Sequence, residues 1–235
     1  MSSTISNWAI VPAAGSGSRM AADVPKQYLQ IHGKTILQQT IERLISHPRI
    51  DGVVVAVAAD DQRWDELKFQ TNKPVIKTLG GEERCHSVKN ALYEVSRHGN
   101  EQDWVLVHDA ARPCLRHEDL NKLIAQLSDH MVGGLLAYPV KDTMKRSDDK
   151  QRIIETVDRN GLWHALTPHM CRLHLLRDAL NKAIEDGFLV TDEASAVEHA
   201  GYKPKLVEGG SDNIKITNPE DLPLAEFYLS RQGSQ

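Results

Sequence analysis

The stretch that decides the fold is Trp8-Ala-Ile-Val-Pro-Ala-Ala-Gly-Ser-Gly-Ser-Arg-Met20. Its first four residues are apolar, which is typical of a buried strand, and a glycine-rich loop follows directly. Gly15 and Gly17 let the backbone turn tightly and approach a ligand without a Cβ in the way. Consecutive N–H groups in such a turn bind anions, and Arg19 and Lys26 add two positive charges. We therefore predict a phosphate-binding loop at the carboxyl end of this strand, where open α/β sheets bind ligands.

The loop departs from two common phosphate-binding fingerprints. Gly15-Ser-Gly17 begins a GxGxxG pattern, but Met20 occupies the position of its last glycine. The chain has no GxxxxGK[ST] sequence either. Dinucleotide binding and P-loop hydrolysis are therefore disfavoured. On spacing alone, a tight turn with solvent-facing cations remains the alternative to a phosphate site.

Downstream of the loop, short apolar runs alternate with helical patterns. The apolar runs predict strands at 8–11, 53–59, 74–78, 104–107, 134–140, 206–207 and 214–217. Helical spacing and capping residues predict helices at 35–46, 61–69, 83–97, 118–128, 173–186, 192–200 and 219–230. Asp192 is expected to cap the sixth helix, and Asn218 the seventh, with Pro219 at its first position. This alternation predicts an α/β fold with a mostly parallel central sheet.

The pattern changes after Val140. Residues 141–160 are mostly polar or charged, and Ile153-Ile154 is their only apolar pair. Long excursions from a compact domain are usually functional, disordered or interface-forming. We expect a projecting hairpin arm or a long loop here, within a single domain that spans residues 1–235.

Composition limits the classes of function. The formal net charge of -4 does not suggest a general nucleic-acid binder. No apolar run is long enough to span a bilayer, and residues 1–7 show no signal-peptide pattern. Cys85, Cys114 and Cys171 form no paired framework and are expected to be buried small residues, which fits the cytoplasm. The eleven histidines are dispersed, so the sequence assigns no zinc site.

The loop and six later motifs together carry a resemblance to a known family. The loop has the form Pro12-Ala-Ala-Gly-x-Gly-x-Arg-Met-x(4)-Pro-Lys26. The later motifs are Gly80-Gly-Glu-Glu-Arg84, Val107-His-Asp-Ala-Ala-Arg-Pro113, Thr156-Val-Asp-Arg159, Ala165-Leu-Thr-Pro168, Thr191-Asp-Glu-Ala-Ser195 and Asp212-Asn-Ile-Lys215. Their order and separations resemble the 2-C-methyl-D-erythritol 4-phosphate cytidylyltransferases of the non-mevalonate isoprenoid pathway. The resemblance implies a three-layer, Rossmann-like nucleotidyltransferase fold with a projecting β-arm.

Asp109 is the candidate metal ligand. It follows the buried strand 104–107, so it should lie at the same sheet edge as the glycine loop. A carboxylate that faces a triphosphate needs a cation between them, and Mg²⁺ takes oxygen ligands and phosphates. The resemblance also places Asp109 near the metal and Arg112 near the acceptor. An aspartate that only caps a turn is the structural alternative.

A second set of residues is expected to bind CTP. The resemblance assigns this role to Pro12, Ala13, Ala14, Gly15, Gly17, Gly81, Glu82, Ser87 and Ala110. Residues 80–87 would hold the base and ribose, in a pocket that admits a pyrimidine and excludes larger purines. Glu82 departs from the family's usual aspartate, which weakens any prediction of a direct contact from its side chain. Capping of the helix that starts near Glu83 is the structural alternative.

A third set is expected to bind the acceptor, a phosphorylated polyol. It consists of Arg159, Thr143, Arg112, Thr167, Thr191 and Lys215. Arginine suits a phosphate because its planar fork donates two parallel hydrogen bonds. In the resembled family the 141–160 arm forms a homodimer, so Thr143 and Arg159 could act in the neighbouring subunit's site. Lys215 is expected opposite Ile214 and Ile216 on a short strand, where a solvated lysine is the alternative.

The expected reaction is nucleotidyl transfer. The acceptor phosphate attacks the α-phosphorus of CTP in line, and pyrophosphate leaves. The nucleophile is already anionic, so catalysis depends on Arg19, Lys26, Lys215 and Asp109 with Mg²⁺ rather than on a strong base. Three alternatives stay open: a ribitol 5-phosphate cytidylyltransferase, a non-catalytic nucleotide-binding module, and a glycosyltransferase. A glycosyltransferase would normally carry a DxD-like motif where this chain has His108-Asp-Ala-Ala111.

Overall fold

The computed structural model describes residues 5–15 and 24–232 of the chain. Its strands are β1 (Asn7–Pro12), β2 (Gln30–Ile31), β3 (Lys34–Thr35), β4 (Gly52–Val57), β5 (Val75–Leu79), β6 (Trp104–Val107), β7 (Gly133–Pro139), β8 (Met144–Ser147), β9 (Ile153–Val157), β10 (Trp163–Arg172) and β11 (Lys205–Glu208). Its helices are α1 (Ile36–Ile45), α2 (Arg84–Ser96), α3 (His117–Leu127), α4 (Leu173–Glu185), α5 (Glu193–His199) and α6 (Asp221–Gln232). Two short 3-10 turns cover Lys26–Tyr28 and Arg63–Glu66.

A central sheet organises these elements. Its strand order is β11-β7-β10-β6-β1-β4-β5. The neighbours β1 and β4, β1 and β6, β4 and β5, and β11 and β7 run parallel, whereas β10 is antiparallel to both β6 and β7. The predicted α/β fold with a mostly parallel sheet is therefore confirmed. The parallel strands β1, β4 and β6 end at one edge, which brings the loops that follow them together.

Helices cover both faces of the sheet. All six residues of β4 are buried, as expected for a strand that packs on both sides. One core cluster joins the apolar face of α1 to that of α3, and a second contains residues from α2, α4 and α5. Thr35 caps α1 by accepting a hydrogen bond from the N–H of Gln38, and Asp192 caps α5 as predicted. The cysteines at 85, 114 and 171 are buried and unpaired, in agreement with the prediction.

Strand β10 was not predicted from the sequence. It runs through Thr167, Pro168 and His169, which break the apolar pattern of a central strand. The pairing of β10 with β7 shifts register between Ala165 and His169, so the irregularity lies where these residues occur. The strand nevertheless occupies the middle of the sheet, because its two flanks pair with β6 and β7.

Three other predicted elements were wrong in type or extent. Residues 214–217 form no strand, and the predicted helix at 61–69 is only the 3-10 turn Arg63–Glu66. The last helix starts at Asp221 rather than at Pro219. The Asp221 carboxylate accepts hydrogen bonds from the N–H groups of Thr217 and Asn218 at 2.8 Å each. These two bonds close a turn before the helix. The N–H of Asn218 therefore donates to Asp221, and Asn218 does not cap the helix as predicted.

Residues 144–157 form an antiparallel hairpin of β8 and β9. Its side chains are largely exposed, including Ile153 (67%) and Ile154 (62%). Cross-strand pairs such as Arg146 with Glu155, at 2.6 Å, hold the two strands in register. Within the described residues, no helix is both long and apolar enough to cross a membrane.

Candidate active site

A cleft opens at the carboxyl edge of the sheet. Each part of its wall comes from a loop that follows a strand or begins a helix: the end of β1, the 3-10 turn at Lys26, the start of α2, the turn after β6, and the segment that precedes α6. The lining residues are Pro12, Ala13, Ala14, Gly15, Lys26, Gln27, Gly81, Glu82, Glu83, Arg84, Ser87, Asp109, Ala110, Ala111 and Lys215.

The cleft brings together most of the residues predicted to bind CTP or to act in catalysis. Those that line it are Pro12, Ala13, Ala14, Gly15, Lys26, Gly81, Glu82, Ser87, Asp109, Ala110 and Lys215. Gly17 and Arg19, which were also predicted for this site, lie outside the described residues. The cleft joins distant parts of the chain, since Lys26 bonds to the carbonyl of Ile216, 190 residues away. The roles assigned to these residues stay predictions, but their proximity is a property of the fold.

Gln27 fixes the first part of the glycine loop. Its side-chain amide donates to the carbonyls of Ala13, at 2.9 Å, and Gly15, at 3.1 Å. Gln27 is buried, so its bond to Ala13 is protected from water, while the bond to Gly15 is partly buried. The N–H of Ala13 donates to Ala56 of β4, which ties the loop to the sheet. Sequence reasoning missed Gln27; its position directly after Lys26 was the available signal.

The loop before α2 approaches the glycine loop closely. A Cβ on Gly80 would lie 2.2 Å from the Cβ of Ala14, so a larger residue would force the two loops apart. The N–H of Gly81 donates to the Ser87 hydroxyl at 3.0 Å, and that hydroxyl donates to the carbonyl of Glu83 at 3.3 Å. Ser87 is buried and therefore supports the shape of this wall.

Asp109 lies among three cationic side chains. Arg84 Nε is 3.2 Å from Oδ1, Lys215 Nζ is 2.9 Å from Oδ2, and Arg112 Nε is 3.5 Å from Oδ2. Burial would raise the pKa of Asp109, but the charges of Arg84, Lys215 and Arg112 outweigh it and hold the pKa well below its usual range. The carboxylate is therefore ionised at neutral pH, at the edge of the cleft.

Arg84 joins Asp109 to a second buried carboxylate. Its guanidinium donates to Glu193 through Nη1 at 2.6 Å and Nη2 at 3.2 Å, a bidentate pair, while Nε faces Asp109. Glu193 is only 1% exposed, at the start of α5. Burial would lower the pKa of Arg84, but Glu193 and Asp109 together raise it. From the sequence, Arg84 was recognised only as the last residue of the 80–84 motif, and no role was predicted for it. Its place in that motif was the available signal.

A buried chain of hydrogen bonds, formed by residues outside the cleft lining, supports the backbone of Asp109. Burial lowers the pKa of His108 to about 4, so its ring is neutral at pH 7. Its Nε2 lies 2.9 Å from the carbonyl of Arg112, which can only accept, so Nδ1 accepts from the Thr167 hydroxyl at 2.9 Å. That hydroxyl in turn accepts from the N–H of Asp109 at 3.2 Å. Thr167, predicted to bind the acceptor, is buried in this chain and does not line the cleft.

Lys215 lies in the irregular segment that precedes α6, not in a strand. The N–H of Ile216 donates to the carbonyl of Ala111 at 2.9 Å, and Ile216 is fully buried. The predicted alternation holds, because Lys215 points into the cleft while Ile216 faces the core. Lys26 Nζ donates to the Ile216 carbonyl at 3.3 Å, so the segment that contains Lys215 also contacts Lys26, a second predicted catalytic lysine.

The other residues predicted for the acceptor lie at different places. Arg112 donates to the carbonyl of Asn213 at 2.6 Å and faces Asp109 without lining the cleft. Thr143 and Arg159 flank the hairpin and are exposed, and Arg159 donates to the carbonyl of Lys141. Thr191 is exposed, next to the Asp192 cap of α5. Within this one chain, therefore, the cleft contains the predicted nucleotide side of the site but not Thr143, Arg159 or Thr191.

Known proteins share this sequence along almost its whole length. The family model described as 2-C-methyl-D-erythritol 4-phosphate cytidylyltransferase matches residues 8–231. The enzyme of that name from Vibrio vulnificus (strain YJ016) is 58% identical over 224 residues, covering 95% of this chain and 94% of the relative. The one from Aliivibrio fischeri (strain ATCC 700601 / ES114) is 51% identical over 235 residues, covering 100% and 98%. The relatives named here carry no ribitol phosphate description.

Solved structures agree with these sequence matches. The crystal structure of a 4-diphosphocytidyl-2C-methyl-D-erythritol synthase superposes with a TM-score of 0.84 at 36% identity, covering 96% of this chain and 99% of that one. The Francisella tularensis 2-C-methyl-D-erythritol 4-phosphate cytidylyltransferase gives a TM-score of 0.81 at 37% identity, covering 95% and 99%. Together with the cleft and its motifs, these matches show that the chain belongs to the 2-C-methyl-D-erythritol 4-phosphate cytidylyltransferase family of nucleotidyltransferases.

Proposed function

We propose that this protein transfers CMP from CTP to 2-C-methyl-D-erythritol 4-phosphate. The products are 4-diphosphocytidyl-2-C-methyl-D-erythritol and pyrophosphate. The observation that carries the proposal is the Asp109 cluster, where cations from three separate segments converge at the edge of a glycine-loop cleft. Family membership supplies the substrates that fit this arrangement.

CTP occupies the cleft with its triphosphate along the glycine loop. The backbone N–H groups of Ala14 and Gly15 donate to the phosphates, together with Gly17, Arg19 and Lys26. The base and ribose lie against Gly81, Glu82 and Ser87. The hydrogen bond between the Gly81 N–H and Ser87 supports this assignment, because it fixes a narrow wall there.

The chemical step needs charge stabilisation more than proton transfer. The acceptor phosphate oxygen attacks the α-phosphorus, a P–O bond forms, and the bond to pyrophosphate breaks. Two anions must approach each other, so Arg19, Lys26 and Lys215 lower the barrier by neutralising the charge that develops on the phosphorus oxygens. No proton has to leave the nucleophile, which fits a site without a poised general base.

Asp109 is the predicted Mg²⁺ ligand among the residues that line this cleft. A carboxylate offers about four lone-pair directions, and the three cationic contacts to Asp109 leave one on Oδ1. The group is ionised, oxygen-bearing and at the cleft edge, which is the chemistry that Mg²⁺ prefers. When bound with the triphosphate, Mg²⁺ would neutralise phosphate charge and orient the phosphates. Arg84 and Arg112 keep the carboxylate in a fixed orientation for that purpose.

Arg112 and Lys215 bind the acceptor phosphate beside Asp109, and Thr167 shapes this wall from within. Thr191 contacts the polyol. Thr143 and Arg159 reach the site of a neighbouring subunit in a homodimer formed through the 141–160 arm. Support for the dimer comes from the arm itself, which exposes Ile153 and Ile154 on a paired hairpin. The protein acts in the cytoplasm on small molecules, without nucleic-acid or membrane partners.

The decisive experiment measures pyrophosphate release with each of four nucleoside triphosphates and two acceptors. We expect turnover with CTP and 2-C-methyl-D-erythritol 4-phosphate in the presence of Mg²⁺, and little with ATP, GTP or UTP. Ribitol 5-phosphate as the better acceptor would replace the proposed substrate. CTP binding without pyrophosphate release under any combination would make the chain a non-catalytic nucleotide binder.

A further inference from the structure

Three metal-ligating side chains of different chemistry meet at the start of α2. Glu83, Cys85 and His86 each offer one ligand atom, and these atoms all lie within 4.8 Å of one another. Cys85 and His86 belong to none of the predicted sets of site residues. The dispersed histidines of the sequence gave no sign of this group, because a carboxylate, a thiol and an imidazole at positions i, i+2 and i+3 match no common zinc pattern.

The spacing of these donors suits a tetrahedral ion. Cys85 Sγ lies 3.6 Å from Glu83 Oε2. Zinc bonds of about 2.3 Å to sulfur and about 2.0–2.2 Å to oxygen place two such ligands about 3.5–3.7 Å apart at a tetrahedral angle. The other separations among the three ligand atoms are at most 4.8 Å. Glu83 is exposed and Cys85 is buried, so an ion there would have protein on one side and solvent on the other.

We propose that Glu83, Cys85 and His86 bind Zn²⁺ and that this ion inhibits the enzyme reversibly. The thiol loses its proton to solvent when the sulfur binds the metal, and neutral His86 binds through a ring nitrogen. Carboxylate and thiolate together balance the charge of the ion, and a water takes the fourth position. Sulfur and imidazole ligands favour zinc over Mg²⁺, which prefers oxygen, so the two ions do not compete for one site.

Zinc at this position would disturb the wall of the cleft. Glu83 lines the cleft, and its carbonyl accepts hydrogen bonds from both the N–H and the hydroxyl of Ser87. The Cβ of His86 is the nearest neighbour of Gly81, where an added Cβ would lie only 2.3 Å away. Drawing His86 toward an ion therefore moves the residues that contact Gly81 and Ser87. This effect on CTP binding rests on the proposed function of the cleft, whereas the metal site itself does not.

The metal site is tested first with Co²⁺ alone as a spectroscopic substitute for zinc. We expect a near-ultraviolet thiolate-to-cobalt absorption band that Zn²⁺ abolishes and Mg²⁺ does not. Cys85→Ser should lose the band, while Cys171→Ser should keep it, because Cys171 is also buried but lies in β10 outside the group. Absence of the band in the wild-type protein, or its persistence in Cys85→Ser, would overturn the assignment.

The inhibition is tested by pyrophosphate release at saturating Mg²⁺ with added Zn²⁺. Loss of a side chain that only orients a metal ligand typically costs about 10–100-fold in metal affinity, so removal of a direct ligand should cost at least as much. His86→Gln, at a partly exposed position, avoids a change in the core and should raise the inhibitory zinc concentration at least tenfold. In the wild-type protein zinc should raise KM for CTP.

Equal zinc sensitivity in wild-type protein, His86→Gln and Cys85→Ala would overturn the inhibitory role. Failure of the proposed function has a different signature. Protein free of zinc would then release no pyrophosphate from CTP and 2-C-methyl-D-erythritol 4-phosphate, while the cobalt band would still report on the metal site.

Discussion

At the scale of single residues, Asp109 shows how charge is distributed in this site. Its carboxylate faces Arg84, Lys215 and Arg112, so the cluster has more positive than negative charge even after Glu193 is counted. Such an excess is costly in the free protein, and it is useful when two phosphorylated substrates arrive. Arg84 is paired with the buried Glu193 and has a structural role. The side chain of Lys215 is 39% exposed and is therefore more accessible to a substrate.

Lys26→Ala should lower turnover strongly. Loss of one preorganised charged donor typically costs about 10²–10³ in kcat, or about 2.7–4 kcal/mol. The measurement is pyrophosphate release at saturating CTP and acceptor. Lys203→Ala removes an exposed lysine that does not line the cleft and should retain normal turnover. Near-normal kcat in Lys26→Ala would remove this lysine from the mechanism.

Arg84→Gln should destabilise the fold, because Glu193 would remain buried without its guanidinium. Removal of one partner from a buried pair typically costs about 3–5 kcal/mol. Urea denaturation measures the free energy of unfolding. A second substitution, Glu193→Gln, should restore part of the loss, whereas Arg97→Gln at the exposed end of α2 should change stability by less than about 0.5 kcal/mol. A double variant as unstable as the sum of the two singles would contradict the coupling.

His108 should make stability depend on pH. Its pKa is about 4 in the folded protein against an ordinary value of 6.5. Between these values the unfolded chain binds the proton and the folded protein does not, so stability falls as the pH falls from 6.5 toward 4. The total loss is about 3 kcal/mol, from about 1.4 kcal/mol per pKa unit. Asp109 contributes in a lower window, since its depressed pKa keeps its contribution intact above the ordinary aspartate range.

The check is urea denaturation at several pH values across that window. His108→Gln should flatten the slope, whatever its effect on stability at pH 7. His164→Gln, at an exposed histidine that stacks on Tyr138, should leave the slope as in the wild-type protein. An unchanged slope in His108→Gln would mean that other groups cause the pH dependence.

At the scale of elements, β10 and the arm depart most from simple patterning. β10 sits between β6 and β7 but carries buried Thr167 and His169, because one of its faces supports the site rather than an apolar core. Elements that serve a site commonly violate the local pattern, which explains why the sequence did not reveal this strand. The arm has the opposite property, since its apolar residues Ile153 and Ile154 are left exposed by the part of the chain that the structure describes.

Replacing both isoleucines of the arm by aspartate should weaken the proposed dimer. Charges placed at the centre of an apolar interface lose hydration without finding partners. Sedimentation velocity of the double variant should show a shift from dimer to monomer, and turnover should fall with it if Thr143 and Arg159 act across the interface. Met131→Asp, at an exposed apolar residue outside the arm, is the matched control. A variant that remains dimeric would exclude the arm as the interface.

At the scale of the whole molecule, the cleft depends on contacts between distant parts of the chain. Arg84 and Glu193 are 109 residues apart, and Arg112 bonds to Asn213 across 101 residues. A nucleotide that bridges the loops of β1, α2 and β6 should therefore stabilise the entire domain. Binding to the native state alone stabilises by about 2.7 kcal/mol when the ligand is at 100 times its Kd.

CTP with Mg²⁺ should raise Tm by roughly 5–10 °C at that saturation, since 1 kcal/mol shifts Tm by about 2–4 °C in a domain of this size. Differential scanning fluorimetry measures the shift. A chelator should remove most of it, because the triphosphate then meets Asp109 without a metal. ATP at the same concentration is the control and should give a much smaller shift. Equal shifts for ATP and CTP would contradict a cytosine-selective wall at residues 81–87.

The sequence by itself determined the α/β class, most strands and helices, and the family, because apolar periodicity and contiguous motifs such as Pro12 to Lys26 are local features. Contiguity also predicted residues that the structure brings together in one cleft. Only the tertiary structure showed that Arg84 joins Asp109 to Glu193, that Thr167 is buried behind Asp109, and that Glu83, Cys85 and His86 converge. The physical reason is that side-chain direction and cross-sheet pairing set these contacts, and neither depends on separation along the chain.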